Sequence, residues 1–413
     1  MKAHYPVLLT AMMAAEGCSS DHKSDHNQLE TAQTQAAGTF GHDLAFLKKY
    51  QEAVVLSAPD NAEAQAIVIP AYQGRVMTST ADGNVGNSYG WINYKLIESG
   101  QYRPHMNGFG GEERFWLSPE GGQFSVYFKK GQRFDFENWQ TPALIDTVAY
   151  KAIESDASSV KFQIDAMIEN YSGKTFVIAI SRKIEMLTKE NMADLLGLPA
   201  FNGVKAVAYR SINSVTNKGE EWKPETGMLG IWLLGMFRPS DQTTIIAPFS
   251  RALSEKPLIT DDYFGKIPSD RLVIKDSILF LKADGKHRSK IGIAPKSARN
   301  VAGSYDAGKG ILTIIQYDLD PQGRYMKSTW ELHKDPYDGD ALNAYNDGKL
   351  ADGTQMGPFY ELESNSSVKA LKEGEAITHR QSTFHFEGDK AALNAIAQKV
   401  LGVNIDQIGE IFK

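Results

Sequence analysis

The stretch VKFQIDAMIENYSGKTFVIAISRKIEML, residues 160–187, decides the fold class. β-Branched and aromatic residues alternate with polar ones on both sides of the turn signal SGK, which is the pattern of two half-buried strands joined by a turn. The same pattern recurs from residue 50 onward. It predicts further strands in the segments VVLSA, AIVIPAY, RVMTSTA, WINYKLI, VKAVAYRSINSV, TTIIAPFS, LVIKDSILFL, KGILTIIQYDL and STWELHK.

Helices are few in the predicted structure. We expect a helix over Phe46 to Gln51, one opening near Thr188, and one running from Asp389, a good N-cap, to a stop at Gly402. Long antiparallel strands without an internal linker favour two extended sheets packed face to face, and no propeller-like repeat occurs. The prediction is an all-β protein: a large two-sheet antiparallel supersandwich with a few short helices and a C-terminal helix, in one domain from 40 to 413.

The N-terminal region predicts export and anchoring. Lys2 precedes a short apolar run that ends at Cys18, the only cysteine of the chain. This order resembles a bacterial lipoprotein signal over 1–18, with Cys18 as the lipidated residue, although Glu16 stands where a small residue is usual. A buried helix that carries an incidental thiol is the alternative.

The polar segment 19–39 suits a flexible tether. His22 and His26 lie in this segment, where a solvated linker is favoured over a metal site. We therefore expect a protein that is lipid-anchored to the outer membrane of a Gram-negative bacterium, in the periplasm or at the cell surface, with no other membrane contact.

Composition narrows the range of partners. The formal net charge is −6, and acidic and basic residues are interspersed, so there is no basic face for a nucleic acid. We expect a monomer that binds a small or neutral partner.

The segment HMNGFGGEERFWLSPEGGQFS, residues 105–125, reads as a binding site. Its five glycines permit tight turns that let charged and aromatic side chains converge. An aromatic ring beside hydrogen-bonding groups suits a pyranose, so the expected partner is a mono- or oligosaccharide. The candidate binding residues are His105, Asn107, Arg114, Trp116 and Glu120. The alternative for Arg114 and Glu120 is a buried ion pair that closes the loop.

Two acidic residues lie two positions apart in ELESNSS. On a strand, Glu361 and Glu363 would leave the same face. Two neighbouring carboxylates raise one pKa, which would place a proton donor beside an ionised base. The alternative is an exposed acidic strand face.

The segment THRQSTFHFE places His379, Gln381, Thr383 and His385 at period two. If this strand paired with the 361–364 strand, an imidazole would lie within reach of Glu363 and could act as acid or ligand. We favour His385 over His379 for that role. The alternative is a pair of half-buried histidines bonded to backbone carbonyls.

The sequence context of each tryptophan predicts whether its ring is buried or exposed. Trp232 lies in an apolar run and is expected in the core, whereas Trp222, in a polar loop, is expected to form an exposed platform. Trp330, beside Glu331 and His333, could stack on a sugar.

Three segments together resemble one family. FGGEERFWLSPEGG, RSINSVTNKGEEWKPETGMLGIW and GPFYELESNSSVKALKEGEAITHRQSTFHFE are similar to segments of the galactose-mutarotase-like supersandwich proteins, particularly a secreted or lipoprotein branch, over Gln51 to Glu387. The strand end at Thr216–Asn217 and the turn from Leu371 to Gly374 are further points of likeness.

The resemblance implies a chemistry. In the aldose 1-epimerases of this superfamily, a glutamate from a late strand acts as general base on the anomeric hydroxyl and a histidine acts as general acid on the ring oxygen. By position, Glu361 or Glu363 looks like that glutamate. Those epimerases also carry a pair of mid-chain histidines, whereas here only His287 lies between His105 and His333.

No cofactor is expected. The acidic segment DPYDGDALNAYNDG, residues 335–348, does not match an EF-hand loop, and we interpret it as a surface loop. Calcium bound there is the alternative.

The leading hypothesis is therefore a carbohydrate-active protein with acid/base chemistry at an anomeric centre, either mutarotase-like or glycoside-cleaving. A non-catalytic glycan-binding lipoprotein and a structural β-sandwich are the competing hypotheses.

Overall fold

Antiparallel β-sheets account for most of the computed structural model, which describes residues 36–251 and 258–412. The predicted lipoprotein signal with Cys18, and the tether up to residue 35 with His22 and His26, lie outside the described residues. No helix in the described ranges is long and apolar enough to cross a membrane.

A ten-stranded sheet forms one layer. Its strands, numbered in chain order, run from one edge to the other as β12 (Leu272–Lys275), β13 (Ile278–Lys282), β10 (Thr243–Pro248), β15 (Val301–Asp306), β16 (Ile311–Tyr317), β19 (Ala376–Gly388), β8 (Val204–Asn217), β7 (Thr175–Met186), β6 (Ser159–Glu169) and β5 (Lys151–Ser155). The segment 160–187 supplies nearly all of β6 and β7, which pair antiparallel from Ser159↔Glu185 to Glu169↔Thr175, as predicted.

A six-stranded sheet forms the second layer. The first three strands of the chain form a separate three-stranded sheet. The six strands run as β11 (Ile259–Thr260), β14 (Ser289–Ile293), β17 (Leu342–Asn346), β18 (Tyr360–Asn365), β9 (Gly230–Phe237) and β4 (Arg114–Ser118). The three-stranded sheet contains β1 (Val54–Ala58), β2 (Asn61–Ile69) and β3 (Arg75–Thr80).

The two large sheets pack face to face. Ser364 of β18 is hydrogen-bonded to His379 of β19, and Tyr360 of β18 is hydrogen-bonded to Ser304 of β15. All eight residues of β9 are buried between the layers or under loops. The all-β fold class, with large antiparallel sheets and a C-terminal helix, is thus confirmed.

Local capping signals located two helices correctly. Thr188 caps α3 (Lys189–Leu196) through a capping box with Asn191, and Asp389 caps α4 (Lys390–Leu401), whose C-cap Gly402 has a φ of 73°. The first helix, α1 (Phe40–Tyr50), begins six residues before the predicted start because Thr39 caps it.

Several local predictions were wrong. WINYKLI is not a strand: α2 (Tyr94–Ser99) begins there, because the Asn93 side chain caps it and Gly100 ends it with a φ of 62°. These caps outweigh the strand preference of tyrosine and isoleucine. A last helix, α5 (Ile405–Glu410), was not predicted.

Two tryptophan segments also differ from the predictions. STWELHK lies in a loop, because its backbone at Thr329 packs against Gly121 of the glycine-rich segment instead of joining a sheet. Trp222 is fully buried rather than exposed, since its ring packs edge-on against Phe176.

Candidate functional site

The glycine-rich segment and the ELES strand meet on one face of the six-stranded sheet. Leu234 of β9 is paired with both Glu363 of β18 and Arg114 of β4, so these three residues share a face. Ser364 points into the space between the two large sheets, and side chains alternate along a strand, so Glu363 points the other way. We call this the outer face, defined by Arg114, Trp116, Trp232, Lys290, Glu361 and Glu363.

Two buried ion pairs occupy the outer face. Arg114 Nη2 lies 2.5 Å from Glu361 Oε1, and Lys290 Nζ lies 3.0 Å from Glu363 Oε2. The same Glu363 oxygen accepts a hydrogen bond of 3.0 Å from Trp232 Nε1. The two carboxylates predicted to share a face therefore do so, each with its own cation.

Aromatic rings support both cations. The Arg114 guanidinium lies 4.8 Å from the centroid of the Trp116 ring, and the Lys290 ammonium lies 4.9 Å from that of Trp232. The two indoles meet edge to face at 5.6 Å. Cation–π contacts of this kind hold the charged heads against the rings.

Three buried polar atoms of the outer face have no hydrogen-bond partner among the described residues. They are Glu363 Oε1, Arg114 Nε and Trp116 Nε1. Burying such a group without a partner costs free energy, and native structures satisfy most of them. One free acceptor and two free donors on the same sheet face are suited to a ligand that both donates and accepts hydrogen bonds.

Two carboxyl groups here have pKa values near neutrality. Burial raises the pKa of Glu361 to about 7; the Arg114 guanidinium opposes this shift and the Glu363 carboxylate adds to it. Burial also raises the pKa of Glu120 to about 7, against the effects of Lys290 and of a hydrogen bond with Trp330. Groups that titrate near pH 7 can give and take protons under ordinary conditions.

Lys290 is the cation that links these acids. Burial acts to lower the pKa of Lys290, but the carboxylates of Glu363 and Glu120 more than offset it, so the pKa is raised. Lys290 therefore stays charged while it interacts with both groups. It was not predicted as a site residue, because nothing in SKIGI marks it and its partner Glu363 is 73 positions away.

Glu120 reaches the site from the loop that follows β4. Its backbone N–H donates to Ser328 Oγ, which fixes the loop against the segment that carries Trp330. The alternative for Glu120 and Arg114, a buried ion pair between them, is not present: Arg114 is paired with Glu361. Glu120 is partly exposed and so lies at the rim of the outer face.

The predicted strand pairing of the histidines with Glu363 is wrong. β18 and β19 belong to different sheets, and their side chains meet across the space between the layers. His385 is fully buried: its Nδ1 lies 2.9 Å from Thr313 Oγ1, and its Nε2 lies 3.1 Å from Glu112 Oε2. It contacts Phe237, whose side chain lies on the face opposite the outer face.

His379 is likewise in the interior. Its Nε2 is hydrogen-bonded to Ser364 Oγ at 2.8 Å, and burial lowers its pKa to about 4. Neither imidazole shares the outer face with the two glutamates, so a proton donor for Glu363 has to come from other residues.

His105 and Asn107 shape the glycine-rich segment rather than the outer face. Asn107 donates from both its backbone and its side-chain N–H groups to Asp146, and it is buried. His105 Nδ1 lies 2.6 Å from the backbone oxygen of Trp139. Between them, Met106 contacts Arg114 through its sulfur.

The acidic segment 335–348 is not the surface loop that its sequence predicts: it contains β17 (Leu342–Asn346), whose five residues are buried, and Asp347 is buried as well. Asp340 bonds to Tyr263 and Asp347 to Tyr345, while Asp335 accepts from the backbone of Tyr337. No group of three or more potential metal-binding side chains occurs in the described part of the chain.

Two cavities lie apart from the outer face. One, of about 270 Å³, is bordered by Tyr89, Thr313 and Tyr360, and the other, of about 610 Å³, by Lys205 and Glu387. Neither is bordered by an outer-face residue.

The chain belongs to a family of unknown function, DUF6786, whose model matches residues 38–412. No curated protein matches the chain significantly.

Several solved structures are similar to it. A putative aldose 1-epimerase from Escherichia coli K12 shares 13% identity with a TM-score of 0.48, over 81% of this chain and 99% of that one. A galactose mutarotase-like protein from Lactobacillus casei shares 11% identity with a TM-score of 0.46, over 81% and 99%. A putative aldose 1-epimerase from Klebsiella pneumoniae shares 13% identity with a TM-score of 0.44, over 85% and 82%. These values are too low to assign an activity to this chain.

Proposed function

We propose that the outer face binds a sugar and performs acid/base chemistry at its anomeric centre, as a mutarotase-like isomerase or a glycoside-cleaving enzyme. The observation that carries this proposal is the unpartnered Glu363 Oε1 on the same sheet face as the unpartnered donors Arg114 Nε and Trp116 Nε1. The several hydroxyls of a sugar can donate to the carboxylate and accept from the two N–H groups.

Glu363 is the base in this proposal. Its Oε2 is held by Lys290 and Trp232, which fixes the carboxylate and leaves Oε1 to take the proton of the anomeric hydroxyl. Arg114 is anchored to Glu361 and presents Nε to a neighbouring hydroxyl.

Glu361 and Glu120 are the candidate acids. Both have pKa values of about 7, so a substantial share of each is protonated at neutral pH. In mutarotation, one of them would protonate the ring oxygen as Glu363 deprotonates the anomeric hydroxyl. The ring then opens, and closure onto the other face of the carbonyl returns both protons. This assignment replaces the role given to His385, which is bonded on both sides in the interior.

A non-catalytic glycan-binding protein is the second candidate. It is favoured by the two ion pairs, since a carboxylate already held by a cation can serve as a hydrogen-bond acceptor without moving a proton. The enzyme and the glycan-binding protein would both bind a sugar, and only the enzyme would convert it.

A proton NMR time course with a panel of free sugars and oligosaccharides separates these functions. The full chain is compared with Glu363→Gln and with the control Glu169→Gln, which alters an exposed glutamate of β6. We expect accelerated anomer exchange, or new reducing ends, in the wild type and the control and a loss of at least about 100-fold in Glu363→Gln. Signal broadening without turnover would support the binding protein. Unchanged spectra for every sugar would refute the carbohydrate assignment.

We also propose that the chain is lipid-anchored through Cys18 in the periplasm or at the cell surface and acts as a monomer. The support is the order of Lys2, the apolar run and Cys18 in the sequence. Metabolic labelling with a radioactive fatty acid should mark the wild type and not Cys18→Ser. Equal labelling of the wild type and Cys18→Ser, or labelling of neither, would contradict the lipid anchor. Light scattering of the protein domain without detergent tests whether it is a monomer.

A further inference from the structure

We propose that the sugar bound at the outer face is a sugar acid, and that Arg288 receives its carboxylate. This inference rests on the proposed sugar site and adds the class of sugar. Arg288 immediately precedes β14 and lies two positions before Lys290. Residues two apart on an extended chain project to the same side and are separated by about 7 Å, so Arg288 adjoins the outer face at Lys290.

The charge of Arg288 reaches two groups of this region. Burial raises the pKa of Glu120 and that of Tyr345, and Arg288 opposes both shifts. Tyr345 is paired across the sheet with both Lys290 and Glu361, so it lies on the same face as they do. Arg288 is therefore close enough to the site to act on the charge of a ligand bound there.

The Arg288 guanidinium is held in place without being paired. Its central carbon lies 3.7 Å from the centroid of the Phe264 ring, and that ring packs edge-on against Tyr345 at 6.0 Å. The Arg288 side chain forms no ion pair or hydrogen bond with any described residue. Stacking engages the flat face of a guanidinium, so the N–H groups in its plane stay available to a ligand.

The backbone that carries Arg288 is fixed by the end of β17. The Asn346 side chain accepts from the Gly285 N–H at 2.8 Å and donates to the His287 oxygen at 2.8 Å. Gly348 packs so closely that a Cβ in its place would lie 2.3 Å from the Arg288 nitrogen. Arg288 thus projects from a rigid support, as a residue that selects a ligand should.

The charges of the site favour a single carboxylate as the ligand group. Arg114 and Lys290 are already paired with glutamates of the outer face. Of these three cations, Arg288 alone can receive a negative charge without breaking an ion pair. A guanidinium matches a carboxylate in charge and forms two parallel hydrogen bonds with it, whereas the nearby Glu120 would repel the additional charge of a phosphate dianion.

The rest of the chain gives no general attraction for an anion. Its formal net charge is −6, so a preference for an acidic sugar has to come from a local cation. Arg288 is then a specificity-determining residue, separate from the residues proposed to bind the anomeric end of the sugar.

Isothermal titration of the full chain with matched sugars tests the inference. The pairs are glucose and glucuronic acid, galactose and galacturonic acid, and mannose and mannuronic acid, together with the 6-phosphates of the three hexoses. We expect the acid of the preferred pair to bind at least about tenfold more tightly than its neutral counterpart, which is about 1.4 kcal/mol. Arg288→Gln removes the charge and should abolish this gain without changing the affinity for the neutral sugar.

Arg380→Gln is the matched control. Arg380 belongs to β19 of the other large sheet, its side chain is 53% exposed, and it is paired with Asp318, so the acid should keep its gain in this variant. A gain that persists in Arg288→Gln or is lost equally in both variants would overturn the inference and leave the proposed sugar site standing. So would equal binding of acid and neutral sugar, or tighter binding of a 6-phosphate than of the acid. Absence of binding by every probe would overturn both.

Discussion

Two buried clusters of charged and polar side chains lie on opposite faces of the six-stranded sheet, and they differ in how completely their hydrogen bonds are satisfied. One is the outer face. The other, the core polar cluster, lies between the two large sheets and consists of Glu113, Arg182, Asn213, Ser364, His379 and Gln381.

The buried side-chain polar atoms of the core polar cluster all have hydrogen-bond partners. Arg182 donates to the Gly74 oxygen at 3.0 Å, to Asn213 at 2.7 Å and to Glu113 at 2.8 Å, and the second Glu113 oxygen accepts from Gln381. None of its six members has an unpartnered buried side-chain atom, whereas three outer-face residues do. Burial and ion pairing are common to both clusters, so the unpartnered atoms of the outer face are what distinguish these two clusters.

The largest effect is expected from breaking the core ion pair. Glu113→Ala leaves the fully buried Arg182 without its anion, which should lower the free energy of unfolding by about 3–5 kcal/mol. Glu361→Ala is the matched change on the outer face. It should lower the free energy of unfolding by less than half as much, because Arg114 also rests on the Trp116 ring and faces the site. Denaturant titration measures both. Equal losses would remove the distinction between the clusters.

A smaller effect is expected when the charge of the outer face is kept and its geometry changed. Arg114→Lys can still pair with Glu361 but has no Nε–H group, so sugar affinity should fall by about tenfold or more, the value of a hydrogen bond involving a charged group. Arg182→Lys, the matched change in the core polar cluster, should leave the sugar affinity of the folded protein unchanged. Isothermal titration of the two variants compares them, and unaltered binding by Arg114→Lys would argue against its proposed role.

The two clusters should also respond to pH in opposite directions. The pKa of Glu361 is raised to about 7, so its contribution to stability is complete below its ordinary value of 4.5 and is lost as the pH rises to about 7. The pKa of His379 is lowered from 6.5 to about 4, so its contribution is present above pH 6.5 and is lost as the pH falls to about 4.

Unfolding free energies measured from pH 4.5 to 7.5 test this contrast. The stability of Glu361→Gln relative to wild type should increase with pH, and that of His379→Gln should decrease. Parallel curves for the two variants would show that the clusters do not titrate as described.

The smallest effect is expected from a single donor. Trp116→Phe keeps an aromatic ring under Arg114 but removes Nε1, so sugar affinity should fall by a few fold, in line with about 0.5–1.5 kcal/mol for a neutral hydrogen bond. Stability should not decrease for lack of Nε1, because that atom has no partner among the described residues. A loss of stability without a loss of affinity would count against a binding role.

Local signals in the sequence were sufficient to predict many of the strands and helices. Alternation predicted β6 and β7, and cap residues predicted α3 and α4, because both signals act within a few residues. The same reasoning correctly placed Glu361 and Glu363 on one face. It failed at α2, where caps at Asn93 and Gly100 outweighed strand-forming residues.

Long-range pairing could not be predicted in the same way. The sequence shows β18 and β19 as neighbouring strands with polar residues at period two, but not that they enter different sheets. Lys290 and Glu363 are 73 positions apart, and Arg182 and Glu113 are 69 apart, so neither ion pair leaves a local pattern. The histidines were therefore assigned to the wrong side of the sheet, and Lys290 was missed.

The central claim is that the outer face, and not the core polar cluster, binds the sugar. Glu363 and Ser364 are adjacent in β18 and point to opposite faces, so Glu363→Gln and Ser364→Ala form a matched pair. The most direct measurement is isothermal titration of both folded variants with the tightest-binding sugar of the panel. We predict at least a tenfold loss of affinity for Glu363→Gln and wild-type affinity for Ser364→Ala; the reverse result, or equal affinities, would contradict the claim.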